Sequence, residues 1–448
     1  MVPPVVGLHE EKDAQQRHLL TSSAVTALNR EITMEVIIPR GCGLDVHQAT
    51  VVACLLVGEP GRLPRKQVRT FSTMTSNLIE LRDWLKSEGC TAVAMEATGV
   101  YWKPVYNILE GHFELVVANA RHIKAVPGRK TDVKDAEWIA DLLRHGLLQP
   151  SYIPAPELRE LRGLMRYRVK LVNARSGERN RISKLLESAN IKLSSVASDI
   201  FGVSGRLMLD ALKRGAASPE EMAELAKQRL RSKIPLLKLA LDGRMEEHHR
   251  QLLSLQLDRL DRFDADLRQI DAKLEAKLKA YASQMELLND IPGISWVVSA
   301  TVIAEIGIKM SQWPTVSRLT SWAGLCPGQN ESAGKRGNSS IRPGNPYLRS
   351  ALVEAALAAV QVKDSYFREK YYRLKARRGH KRAVVAIAHK ILIAIYHVLG
   401  SNTRYQELGA DYLDRLEPER LKLNLVRRLE RLGYRVNLEP KRAELTVH

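Results

Sequence analysis

Cysteine is scarce. The four in 448 residues, Cys42, Cys54, Cys90 and Cys326, stand far apart, with no CxxC pair and no histidine at ligand spacing. That excludes a zinc site and a disulfide framework, and reduced thiols in a cytosolic protein are the expectation. An uninterrupted membrane-length run is also lacking. The longest apolar stretch, Ala383 to Leu399, carries His389 and Lys390 in its middle. It is short for a span and reads as a buried or half-buried helix, so no membrane partner is expected. The opening residues, MVPPVVGLHEEKDAQQRHLL, do not show the basic-then-apolar order of a secretion signal. Acidic residues are in deficit: 50 Asp and Glu stand against 69 Lys and Arg, a net charge of +19 and a pI near 9.8. Such an excess makes a polyanion the expected partner.

What is present is enough for more than one core. Apolar residues make up 45% of a chain whose length predicts two or three folding units. Residues 1–38 show no period and read as a poorly ordered extension. From Gly41, GCGLDVHQATVVACLLV reads as two strands around a polar turn at His47 and Gln48, and QVRTFST as a third. In SNLIELRDWLKSEG, Leu78, Leu81, Trp84 and Leu85 have amphipathic helical spacing, closed by Gly89. A strand (TAVAMEA), a helix over 101–109, a strand (FELVVANA) and a helix over 132–144 follow. Three strands and then alternating helix and strand predict an α/β domain with a mixed sheet over 39–150.

Residues 151–286 read as helical. Arg159 to Lys184 holds nine Lys or Arg against Glu160 and Glu178, and Leu260, Phe263, Leu267, Ile270 and Leu274 alternate three and four apart as in a coiled-coil seam. Either a helical hairpin within the chain or a dimerisation arm fits that seam. A mainly helical unit over 287–400 opens with IPGISWVVSATVIAEIG, a helix-hairpin-helix-like turn at Pro292 and Gly293. A loop rich in Gly, Ser, Asn and Pro follows, and then Lys363 to Arg382, with nine Lys or Arg among Tyr366, Phe367, Tyr371 and Tyr372. The charge suits a nucleic-acid backbone; the rings fit either stacking or a core. The tail, 401–448, is charged.

Four acids stand at element edges in the α/β unit. Asp45 follows a strand start, Glu96 ends a strand, and Asp132 and Asp135 are three apart, on one face of a helix that Thr131 can cap. Carboxylates gathered closely repel, and hard divalent cations with oxygen ligands resolve the conflict. Two Mg²⁺ ions about 4 Å apart, held by Asp45, Glu96, Asp132 and Asp135, would serve phosphodiester chemistry.

In order and surroundings, GLDVHQ, MEATGVYW and TDVKDAEWIADLLRHG resemble the RuvC-like DEDD domain of the IS-one-ten family of insertion-sequence transposases. LLNDIPGISWVVSATVIAEIG and LTSWAGLCPGQNESAGKRGNSSIRPGNPYLRSALVEAA resemble that family's second domain, so the likeness covers about residues 41 to 400. It implies an RNase H-type catalytic domain, a coiled-coil linker and a helical transposase domain. It further implies a serine nucleophile in NESAGKRG, matching Ser332, with Lys335 and Arg336 beside it to stabilise phosphate. Arg342, Arg349, Arg377 and Arg378 are the further candidate nucleic-acid contacts. The implied partners are double-stranded DNA, a structured guide RNA encoded beside the element, and further copies of the chain as dimer or tetramer, in a prokaryotic cytoplasm at the nucleoid. The reading is a DNA transposase or recombinase that cuts and rejoins strands. Its rivals are a hydrolytic RuvC-like nuclease or junction resolvase, in which water replaces serine, and a nucleic-acid scaffold with a decayed site.

Overall fold

The computed structural model describes residues 35–97, 99–119, 123, 135–328 and 340–439, with the backbone of 331–332 and 335–336. Two compact units divide the chain, Met1–Ile153 and Pro154–His448. The expected extension falls almost wholly in 1–34, outside the described residues.

In the first unit, β1 (Arg40–Val46), β2 (Thr50–Val57) and β3 (Arg65–Ser72) are followed by α1 (Thr75–Ser87), β4 (Ala92–Glu96), α2 (Trp102–Leu109), β5 (Glu114–Ala118) and α3 (Asp135–Arg144). This is the expected order of elements. The sheet runs β3-β2-β1-β4-β5. The first three strands pair antiparallel, while β1, β4 and β5 are parallel neighbours. Strand alternation sorts the side chains onto two faces. Leu44, Val46, Val93 and Met95 face Leu78, Leu81, Trp84 and Leu85 of α1 and Val105 and Leu109 of α2. The opposite face is built of small residues, and α3 lies against it: Ile139, Leu142 and Leu143 cover Ala92 and Ala94, while Ala136 and Ala140 meet Cys54 and Leu56. A Cβ on Gly43 would stand 2.2 Å from the Ala136 carbonyl oxygen and 2.3 Å from the Ala140 nitrogen. Only glycine permits that approach.

Cys42, Cys54 and Cys90 are buried and Cys326 is half-buried, all as free thiols. Burial, then the nearby Glu137 charge, pushes the Cys54 thiol up to about 11, and burial pushes Cys90 up to about 12. These thiols are core filler at neutral pH, not nucleophiles.

The second unit is helical. α4 (Pro156–Ser188) and α5 (Glu247–Leu278) pack along each other within the chain. Leu161, Met165, Leu171, Ile182 and Leu186 of α4 are buried, as are Leu253, Leu257, Leu260, Leu267, Leu274 and Leu278 of α5; Phe263 and Ile270 are half-buried. Most of the basic run on α4 is half-buried and held by carboxylates, while Lys170, Arg181 and Lys184 are exposed. Arg168 pairs with Asp271 at 2.6 Å and Arg175 with Asp264 at 2.7 Å, across to α5. Arg179, Arg181, Arg162 and Arg166 also hold carboxylates, so six of the nine cations are committed. Asp264 and Asp271 are remote in sequence from these arginines, and the pairing is visible only with the helices side by side.

α6 (Ala282–Asn289), α7 (Trp296–Ile306), α8 (Val316–Trp322), the two-residue strands β6 (Glu331–Ser332) and β7 (Lys335–Arg336), α9 (Pro346–Ala359), α10 (Tyr366–Arg378), α11 (His380–Ser401), α12 (Tyr412–Leu416) and α13 (Pro418–Arg431) follow. Among the described residues α11 is the one helix long and apolar enough to cross a bilayer. Nine of its residues are buried and it packs on α6, α9 and α10, which makes it the core helix of this unit. In α10, Tyr366, Phe367 and Tyr371 are buried, so those rings are core, while Tyr372 is exposed. The turn between α6 and α7 uses Gly293, at φ +85°, for packing: a Cβ there would meet the Ala355 carbonyl of α9 at 2.2 Å. That close approach is a sufficient reason for the glycine.

Gly43→Ala is expected to push α3 off the sheet and lower the stability of the first unit by about 1–3 kcal/mol. Urea denaturation of the full chain checks it; an unchanged midpoint for the first transition contradicts this packing.

Candidate functional site

The parallel pairing of β1 with β4 runs from Gly41 opposite Ala92 to Leu44 opposite Met95. One residue further on, Asp45 and Glu96 stand side by side at the carboxyl ends of the two strands. Paired residues of parallel strands share a face, so both carboxylates lie on the face that carries Gly41, Gly43, Ala92 and Ala94. α3 crosses that face in the opposite sense. Gly41 lies under Leu143 and Arg144, and Gly43 under Ala136 and Ala140. The progression brings Asp45 beside the amino-terminal turn of α3, where Asp135 begins the helix and is exposed. The positive end of the helix dipole favours carboxylates there. Asp132 and Thr131 lie outside the described residues.

Asp45 and Glu96 are each half-buried. His47, two residues past Asp45 and mostly exposed, holds its Nε2 3.0 Å from Asp45 Oδ2. This histidine was missed in the sequence, although its i+2 spacing from Asp45 signals the shared face. Glu137, in the same turn as Asp135, pairs with Lys66 of β3 at 2.9 Å. Lys66 thus balances one of the acids at this helix end. An all-oxygen donor set of this kind suits a hard divalent cation.

The ligand atoms of Asp45, Glu96 and Asp135 are not gathered within 4.8 Å of one another; among the described residues the group that is so gathered is Glu246, His248 and His249. The Glu246 group is a helix cap. Glu246 is the N-cap of α5, its side chain accepts from the His249 backbone, and its own N–H donates to His249 Nδ1 at 3.3 Å. The Glu246 carboxylate and His249 Nδ1 are engaged in that cap.

The second unit carries the loop of Ser332 as a hairpin. β6 pairs antiparallel with β7, Ser332 opposite Lys335 and Glu331 opposite Arg336. Below it the chain is zipped by Gly328 N–H to Ser340 O at 2.9 Å, by a bridge between Pro327 and Ile341, and by Arg342 N–H to Cys326 O at 3.4 Å. At the base Gly324 and Gly344 cross with no room for a side chain on either, since a Cβ on Gly344 would lie 2.3 Å from Gly324 N. Arg342 is exposed on the returning arm, Arg349 is half-buried in the first turn of α9, and Arg377 and Arg378 are exposed in the last turn of α10.

A buried carboxylate anchors this base. Glu305 of α7, 1% exposed, accepts a two-pronged contact from Arg166 of α4 at 2.7 and 2.8 Å, lies 3.3 Å from Arg162 Nε, and accepts from Asn345 Nδ2 at 2.6 Å. Arg162 also donates to the carbonyls of Ala304 and Glu305, in the last turn of α7. Asn345 is the N-cap of α9, its Oδ1 accepting from Tyr347 and Leu348 N–H. One residue therefore caps the helix after the hairpin and ties it to α7 and α4. These residues were also missed. The cap was legible in the Asn-Pro pair before an apolar helix; the buried charge was not.

Two family models match the chain, and the first runs from the α/β unit on through α4. Residues 42–191 match a DEDD-type family described as Transposase, and residues 285–372 match the family described as Transposase IS116/IS110/IS902 family, together just over half of the chain. A Pseudomonas aeruginosa protein named "Probable family 20 transposase" is 25% identical over 334 residues, covering 73% of this chain and 89% of that one.

Glu305→Ala removes the buried carboxylate that Arg166 and Arg162 reach. It is expected to cost the helical unit about 3–5 kcal/mol. Chemical denaturation followed by circular dichroism measures it, and a loss under about 1 kcal/mol contradicts the anchoring role.

Proposed function

From a chain that belongs to the IS116/IS110/IS902 family of transposases, we propose an enzyme that moves an insertion sequence by cutting and rejoining DNA strands. Asp45, Glu96, Asp132 and Asp135 would hold divalent metal, as two Mg²⁺ ions. Bound there, such ions would offset the repulsion of the acids and supply charge stabilisation to the phosphate oxygens. The observation that carries the reading is Asp45 beside Glu96 at the ends of β1 and β4, under the first turn of α3. His47 orients the Asp45 carboxylate by its 3.0 Å contact.

Ser332 supplies the nucleophile. Its Oγ forms a bond to phosphorus as the bond from phosphorus to the sugar oxygen breaks, and the serine proton ends on the freed sugar hydroxyl. The phosphoserine ester conserves the bond, and a hydroxyl of another strand reverses the step to rejoin. Lys335 and Arg336, on the facing arm of the hairpin, meet the charge on the phosphate. Arg342, Arg349, Arg377 and Arg378 hold backbone phosphates. Sequence choice comes from a structured guide RNA, and the chain works as a dimer or tetramer in the cytoplasm at the nucleoid.

Purified protein with Mg²⁺ and element-end DNA is expected to form a covalent adduct that survives denaturation. Ser332→Ala loses the adduct, while Ser339→Ala and Ser340→Ala keep it. Asp45→Ala lowers strand cleavage by about 10²-fold or more with DNA binding kept. Cleavage without any adduct identifies the hydrolytic nuclease instead, and a fully active Asp45→Ala protein overturns the metal reading.

A further inference from the structure

The tail beyond Ser401 shows no chemistry in its sequence, and the family matches end at residue 372. In the structure α12 packs on α10 and leads into α13, and the three helices line an open cleft of about 710 Å³. Lys370, Arg373 and Arg377, three and four residues apart on one face of α10, form one wall. Arg420 and Arg428 of α13 form the other, over a floor that includes Leu374 and Leu421. The five cations face two carboxylates, and both carboxylates are committed: Asp414 to Arg373 at 2.7 Å and Glu417 to Arg420 at 2.8 Å. Lys370, Arg377 and Arg428 have no carboxylate partner among the described residues. Burial, then the charges of Lys390, Arg373 and Arg377, pushes the Lys370 ammonium down.

Two basic helix faces turned toward each other repel, and an anion between them removes the repulsion. Arg420 and Arg428 are about 12 Å apart along the helix axis, a span of several successive phosphates of one strand, about 3.4 Å each. Among the described residues no aromatic ring lines the cleft, so it offers nothing to stack bases and would read backbone, not sequence.

We propose that the cleft between α10 and α13 clamps the sugar-phosphate backbone of a nucleic acid, with Lys370, Arg377 and Arg428 as its cations without a carboxylate partner. This rests on the reading that the chain acts on nucleic acid. It gives the C-terminal tail a role: α13 supplies the second wall.

The test compares full-length protein with Lys370→Ala/Arg377→Ala/Arg428→Ala. A control, Lys227→Ala/Arg229→Ala/Arg231→Ala, removes equal charge at exposed positions elsewhere in the same unit. Affinity for a random-sequence DNA duplex and for a folded RNA is measured against salt. The cleft variant is expected to lose about tenfold or more in affinity on at least one of the two, with a log–log salt slope shallower by about two to three. The arm that moves identifies the strand that occupies the cleft. Arg428→Ala alone, at an exposed position, is expected to lower the slope by about one without touching the fold. Slopes unchanged on both nucleic acids, or changed no more than in the control, overturn the clamp. Cleavage by Asp45→Ala protein is followed in parallel. Its persistence sinks the catalytic reading alone, because the salt slopes are read without cleavage.

Discussion

A helix comes this close to a sheet only where no side chain stands between them. Gly41 and Gly43 on β1, Ala92 and Ala94 on β4, and Ala136 and Ala140 on α3 clear that space. Bulk at any of them would lift α3, and its first turn would leave the strand ends where Asp45 and Glu96 stand. The geometry of the acids is therefore set by the smallest residues of the unit. Packing at interior density tolerates little error, since one added methyl is felt.

The helical unit solves a similar problem with charge. The hairpin of Ser332 is long, polar and rich in glycine, and has little apolar surface of its own. Its two arms are held where they leave the core, by the Gly324–Gly344 crossing and by Asn345, which reaches the buried Glu305. Arg162 and Arg166 come to the same carboxylate from α4, so three helices and the hairpin base share one polar centre. A buried charge of this kind adds little net stability over an apolar core, but it specifies one arrangement because any other leaves it unpaired.

The elements of the first unit were legible because local rules and tertiary demands agree there. The apolar spacing of Leu78, Leu81, Trp84 and Leu85 predicts the buried face of α1 without remainder. The edge position of Glu96 followed from where its strand loses pattern; Asp45 was read after a strand start, and the structure puts it near the end of β1, just before the turn at His47 and Gln48. Charge was legible in amount and not in destination. The arginines of α4 stood out as a basic run, but their partners Asp264, Asp271 and Glu305 are distant in sequence, and only the packed helices bring them together. The same holds in reverse for the tail, whose arginines looked featureless until α13 came to face α10. Tyr366, Phe367 and Tyr371 went to the core for a physical reason too: large rings among charges bury themselves whenever a neighbouring helix offers an apolar face.

The convergence of the acids on one metal-binding edge is the claim on which the function turns. Fe²⁺ loaded in place of Mg²⁺, with ascorbate and peroxide, cuts the polypeptide backbone only near the bound ion, and the fragments can be mapped by mass spectrometry. Cuts are expected at three places remote in sequence, just after Asp45, just after Glu96 and around Asp132 to Asp135, all lost together in Glu96→Gln. Cutting confined to Glu246–His249, or scattered without regard to Glu96, would contradict it.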